Sequence, residues 1–175
     1  AVEAFVSVVD ELVGHRLTLV HELERGGIDG AQTEIRAQHV NEAVVGHGRI
    51  FRPVHLEASV DGNYLTTYVA DGLIVATPTG STAYALAAGG PILPPELRNI
   101  LLVPVAPHLS IDRAIVLAEG STVSVTVTSD HGSVVSGDGQ APIHLDMGDR
   151  VDVCASRDIT RLVRFQEVDY FYRNL

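Results

Sequence analysis

The residues with chemistry to offer fall in three stretches of the sequence. The first is Asp71 to Pro91, where Ser81, Thr82 and the small Ala83 follow Pro78 and Gly80 and let a ligand approach the backbone closely. Pro78 fixes its own φ and biases Thr77 toward extended geometry, while Gly80 can take a backbone conformation that a side chain would penalise. Ser81 or Thr82 is then placed to cap a helix over Ala83–Ala88, which Gly89-Gly90-Pro91 stops. A first helical turn of this kind presents unpaired N–H groups and a partial positive charge, so a polar or anionic ligand can dock there. The stretch is not a Walker A loop, because no Lys follows Gly80, and it is not a Rossmann fingerprint. Pattern alone also allows a plain capped helix joining two strands, with Asp71 as the first half of an Asp-Gly turn.

The second stretch is Asn41-Glu42, two adjacent polar side chains among the apolar Val40, Ala43, Val44 and Val45. They are either a hydrogen-bonding pair or a strand end that shows one face to solvent. The third is Asp138-Gly139-Gln140, which in isolation reads as a turn. Arg52, before Pro53, reads by itself as an exposed arginine. The eight histidines form no short ligand-spaced motif, and no metal site is expected. Cys154 reads as an inert core residue.

The elements that must position these groups are mostly short strands. Leu73 to Ala76 is an apolar run suited to a buried strand. Val54, Leu56, Ala58 and Val60 alternate with His55, Glu57 and Ser59, and Asp61-Gly62 leads into Tyr64 to Val69, the clearest hairpin of the chain. Arg16 to Glu24 alternates as a half-buried strand, Gly26 to Gly30 is a turn, and Thr33 to Val45 is extended. Ile100 to Val105, Ala114 to Leu117, Val123 to Val127, Ser133 to Ser136, Val151 to Ala155 and Arg161 to Gln166 continue the series. Val2 to Val13 carries Phe5, Val9, Leu12 and Val13 near helical spacing, predicting a short amphipathic helix ended by Gly14. Many short strands with few helices predict a mainly β, antiparallel sandwich-like domain.

The 175 residues suit a single domain over 1–175 with a sizeable core, and 46% hydrophobic against 19% charged residues argues against disorder. A net charge of −10 argues against a broad nucleic-acid or anionic-membrane surface. The uncharged span Gly72 to Pro95 is too rich in glycine, proline and hydroxyls for a membrane helix. One cysteine excludes an internal disulfide and favours an intracellular compartment, and the N-terminus lacks the basic leader of a signal or transit peptide.

The run Asp71-Gly-Leu-Ile-Val-Ala-Thr-Pro-Thr-Gly-Ser-Thr-Ala-Tyr84 followed by Gly89-Gly90-Pro91 resembles the signature of the NAD kinase family. Asn41-Glu42, Pro104, Pro107-His108 and Asp138-Gly139-Gln140 agree with it in order, so the resemblance covers roughly Arg16 to Phe165. It implies a cytoplasmic enzyme that transfers a phosphoryl group from ATP or polyphosphate, with a divalent cation such as magnesium on the donor, to the adenosine 2′-hydroxyl of NAD. It implies that Asn41 and Glu42 bond ribose hydroxyls and that Asp71 accepts from an amino group of a base or the nicotinamide amide. Thr82, Ala83, Tyr84 and Ala87 would line the adenosine pocket, Arg52 would meet a phosphate, and Asp138 and Gln140 would contact substrate, reaching a neighbouring subunit of a homodimer or tetramer. The family's Gly-Gly-Asp-Gly motif, with the aspartate proposed as base, is matched by neither Gly26-Gly27-Ile28-Asp29-Gly30 nor Gly137-Asp138-Gly139. The chain is therefore expected to be the C-terminal, NAD-binding and oligomerising domain, without its N-terminal partner domain and inactive alone. The competing expectations are a non-catalytic dinucleotide-binding module and a lipid-kinase-like relative.

Overall fold

The structure is a computed structural model, and it describes residues 10–23, 33–48, 52–108, 110–164 and 170–173. Twelve strands are present among these: β1 (Asp10–Leu23), β2 (Thr33–His39), β3 (Glu42–His47), β4 (Val54–Val60), β5 (Asn63–Ala70), β6 (Gly72–Ala76), β7 (Ile100–Val105), β8 (Ile115–Leu117), β9 (Thr122–Val127), β10 (Ser133–Gly137), β11 (Ile143–Leu145) and β12 (Arg150–Arg164). Two one-turn helices, α1 (Tyr84–Ala87) and α2 (Tyr170–Arg173), complete them. The strands form two six-stranded sheets, β2-β1-β12-β9-β4-β5 and β11-β10-β3-β6-β7-β8. Every pairing is antiparallel, as in β3 against β6 and β9 against β12.

One apolar cluster draws on both sheets, with Leu56, Tyr68, Val125 and Val153 from the first and Val45, Leu73, Leu102 and Val135 from the second. The expected β-sandwich-like architecture is therefore present, its core made by the alternate residues of facing strands. A second cluster lies on the other face of the second sheet, where Ile74, Ala76, Leu101 and Val103 meet Ala85 and Leu93. Strand β6 is thus covered on both faces, which is why its sequence reads as a continuous apolar run rather than an alternation.

The β4–β5 hairpin forms at the expected place, and its two turn residues, Asp61 (φ 51°) and Gly62 (φ 77°), take the left-handed conformations that a two-residue hairpin loop needs. Three expectations are corrected. Asp10–Val13, assigned to the end of a helix, is strand: it pairs with Arg161–Arg164 and Gly14 faces Thr160, so a long-range ladder overrides the local spacing. Residues 2–9 of that helix, and the Gly26–Gly30 turn, lie outside the described residues. Thr33–Val45 is two strands broken at Val40-Asn41, where the chain leaves the first sheet for the second. Val151–Ala155 and Arg161–Gln166 are parts of one long strand, β12, as far as Arg164.

Candidate functional site

Strand β2 ends at His39, and β3 begins at Glu42 in the other sheet. The three N–H groups at this crossing, those of Val40, Asn41 and Glu42, need a partner outside the ladder. Asp138, just past β10, supplies one. Its Oδ2 accepts from the Val40 N–H at 2.7 Å, and its Oδ1 accepts from the Asn41 and Glu42 N–H groups at 2.9 and 3.1 Å. The Asp138 N–H donates in return to the Glu42 carbonyl at 3.1 Å. Asp138 takes a left-handed φ of 48° to do this, a conformation that Asp tolerates better than most residues. The loop expected to be a turn is one, and its carboxylate is spent on backbone donors of the same chain.

The other wall is the turn after β6. The Thr77 N–H donates to the Asn41 carbonyl at 2.9 Å. The Thr77 hydroxyl donates to the Val40 carbonyl at 2.7 Å and accepts from the Gly80 N–H at 2.9 Å. Thr77 thereby ties the turn that follows to the crossing, and neither Ser81 nor Thr82 caps a helix as expected. The Ser81 hydroxyl instead donates to the Pro78 carbonyl at 2.6 Å and accepts from the Leu93 N–H at 2.9 Å, pinning the chain beyond the helix, and the Thr82 hydroxyl donates to the Thr79 carbonyl. Gly80 does not take a left-handed φ. A Cβ there would collide with the Asn41 carbonyl, so close approach of two backbones is what excludes a side chain.

A 3-10 turn over Thr79–Thr82 precedes α1, which is Tyr84–Ala87 rather than Ala83–Ala88 and has no side-chain cap. A helix of one turn gathers too little dipole to hold an anion, and the charged groups converging here are carboxylates. The helix N-terminus expected to receive a polar or anionic ligand is thus a 3-10 turn followed by a single helical turn. The stop signal holds: Gly89 (φ 84°) lets the Gly90 N–H reach the Ala85 carbonyl at 2.8 Å.

Between these walls lies Glu42. It is 8% exposed, and its Oε2 is buried with no hydrogen-bond partner. Burial first, and the neighbouring Asp138 carboxylate second, push its carboxyl above the usual 4.5. The Thr79 hydroxyl on the facing turn and the His39 Nδ1 at the end of β2 are likewise buried without a partner. Tyr68, Ser110, Ser129 and Ser133 also carry a buried hydroxyl without a partner, and what distinguishes Glu42 is that its unpartnered atom belongs to a carboxyl. Composition could not single out His39 or Thr79; what marks them is burial.

The structure brings together Asn41, Glu42, Asp138 and the segment carrying Thr82, Ala83, Tyr84 and Ala87. Thr82, Tyr84 and Ala87 are exposed, as is Gln140, whose backbone N–H and carbonyl close the loop after β10 through Gly137 and Ser136. It does not bring in Asp71 or Arg52. Asp71 stands at the opposite end of β6, its backbone bonded to His47 and Val105, about 20 Å of strand from Thr77. Arg52 is exposed beside the Asp130–His131 pair, near enough to act on both charges. Among the described residues, no cluster of three or more His, Cys, Asp or Glu is arranged to hold a metal ion, and no helix is long and apolar enough to cross a membrane.

Residues 40–165 match the family model described as the ATP-NAD kinase C-terminal domain. The chain is 38% identical over 174 residues to an NAD kinase of Trichlorobacter lovleyi, covering 97% of this chain and 61% of that protein. It is 43% identical over 136 residues to an NAD kinase of Chloroflexus aggregans, covering 78% of this chain and 49% of that protein. The chain thus spans about half to three fifths of the relatives it matches. Among solved structures, yeast NADH kinase complexed with NADH superposes with a TM-score of 0.83 at 32% identity, over 95% of this chain and 48% of that one. An NAD kinase from Archaeoglobus fulgidus in complex with ATP superposes with a TM-score of 0.71 at 26% identity, over 98% and 60% respectively.

Proposed function

Because this chain belongs to the ATP-NAD kinase C-terminal domain family, we propose that it is the acceptor-binding part of an NAD kinase. It holds the adenosine ribose of NAD while a phosphoryl group passes to the 2′-hydroxyl. One observation carries this reading: the buried, partnerless Glu42 Oε2. A carboxylate accepts and never donates, so the ligand atom that completes it must carry a proton, as a ribose hydroxyl does. The lone Thr79 hydroxyl on the facing turn supplies a second group for a polyhydroxyl ligand. Asn41 presents an amide that both donates and accepts, and Ala83, Tyr84 and Ala87 flank the adenine.

Phosphoryl transfer depends on fixing two oxygens in line and neutralising the donor. This site does the first for the acceptor only. In our reading the donor, ATP or polyphosphate with its magnesium ion, is held by the N-terminal domain of the full-length protein, and the cation arrives on the donor as part of the substrate. Asp71, remote from Glu42 along β6, meets the same dinucleotide by projecting from a second copy of the chain, which makes the protein a homo-oligomer.

Titration calorimetry of the 175-residue chain with NAD, adenosine and nicotinamide mononucleotide tests the reading. NAD and adenosine should bind, and Glu42→Ala should weaken both by roughly 1.5–3 kcal/mol in a protein that still folds. Unchanged affinity in folded Glu42→Ala would assign Glu42 a purely structural role. A coupled NADP-formation assay should show turnover only when the chain is joined to a domain carrying Gly-Gly-Asp-Gly; a joined protein that binds NAD without turnover points to a non-catalytic binding module.

A further inference from the structure

Asp138 grips the crossing between the sheets, yet something must fix Asp138. Its backbone is held on one side by the Glu42 carbonyl. On the other side lies His39, 4% exposed at the end of β2. The imidazole lies flat on the last residue of β10: a Cβ on Gly137 would fall on the ring, so only glycine leaves room for it there. Its Nδ1 is buried with no hydrogen-bond partner and stands 4.0 Å from Asp138 Oδ2. Among the described residues, no other carboxylate lies within ion-pair distance of this ring.

We propose that His39 is a positioning residue of the dinucleotide site: its Nδ1–H closes onto Asp138 Oδ2 when ligand binds and locks the carboxylate that holds Val40, Asn41 and Glu42. The inference rests on the reading of Glu42 as the ligand's acceptor and extends it to a residue outside the pocket. The move is small, since a charge-assisted N–H···O bond measures about 2.8 Å and closing the gap takes a shift of about 1 Å. Oδ2 now serves one backbone donor and Oδ1 two, so Oδ2 has a lone pair free. The site has reason to make the bond. Glu42 and Asp138 are neighbouring carboxylates that repel, and a donor behind Asp138 draws its charge toward Oδ2 and away from the Glu42 side. Glu42 is then better able to stay ionised and accept from a hydroxyl.

Two substitutions separate donor from shape. His39→Phe keeps a flat ring against Gly137 without a donor, and His39→Asn places an amide N–H near the position of Nδ1. His39→Phe should weaken NAD binding about tenfold and displace the amide resonances of Val40, Asn41 and Glu42, while His39→Asn should stay within about threefold of wild type with those resonances in place. Wild-type affinity and unmoved amides in His39→Phe, or equal losses in both variants, would overturn the proposal. If His39→Phe does not fold, the nitrogen resonances of the wild-type imidazole decide: a proton on Nδ1 in the NAD complex supports the lock, and its absence refutes it. A chain that binds no NAD defeats the site reading, and in that case unmoved amides in His39→Phe defeat the role of His39 as well.

Discussion

Glu42 carries opposite demands from folding and from binding. Its carboxyl is raised above the usual 4.5 by burial and then by Asp138, so the native state keeps the proton longer than the unfolded chain does. The sign follows: stability is lost as pH rises from the unfolded value through the raised folded one, and that loss persists at neutral pH. Glu42→Gln keeps the shape and removes the charge. Its Tm should exceed wild type at about pH 7.5 and match it near pH 3.5, where the carboxyl is protonated in both states. The same variant should bind NAD roughly tenfold to a hundredfold more weakly, the loss of one charge-assisted hydrogen bond. Thermal melts across that pH range check the first outcome, and a Gln variant less stable than wild type at neutral pH would show that ionised Glu42 already has a partner. Retained stability beside lost affinity is the signature of a residue kept for its ligand.

At the scale of elements, the critical seam is that between the β2–β3 crossing and the turn after β6. Gly80→Ala drives a Cβ into the Asn41 carbonyl, so the seam must open, at about 1–3 kcal/mol. A lowered urea midpoint with an unchanged m-value, and weakened NAD binding, are the expected outcomes; wild-type behaviour would mean the two backbones do not meet. The strongest elements were legible in the sequence because their causes are local. Asp61-Gly62 dictates its own hairpin, and Gly89 its own helix end. Asn41-Glu42 and Asp138 were legible only as unexplained polar residues that a family resemblance drew together. The roles they play were not, because Asp138 acts on donors 96 to 98 positions away. Asp10–Val13 misled for the same reason: helical spacing is a local signal, and β12 outweighs it from the far end of the chain. Thr77 was passed over because Ser81 and Thr82 look like caps, whereas its own role, joining the Val40 carbonyl to the Gly80 N–H, depends on a segment 37 positions away.

For the whole molecule, the placement of Asp71 at the far end of β6 makes a claim about assembly. If Asp71 reaches the dinucleotide from a second copy, NAD affinity should fall on dilution through the dissociation range of the oligomer, and Asp71→Ala should cost affinity only above that range. Fluorescence titration at graded protein concentrations, with sedimentation alongside, reads both; concentration-independent affinity would remove Asp71 from the site. The Asp138 grip has a further consequence, in time rather than space. About 95 residues must be made after Glu42 before Asp138 exists, some 5–20 s of synthesis. Throughout that interval the growing chain has no pocket to offer. A ligand held at this crossing therefore cannot template the fold; it can only reward a finished one. If NAD is the ligand of this site, saturating NAD should slow unfolding while leaving the refolding rate as it is in buffer, and the ligand then sets how long the domain survives rather than how quickly it forms.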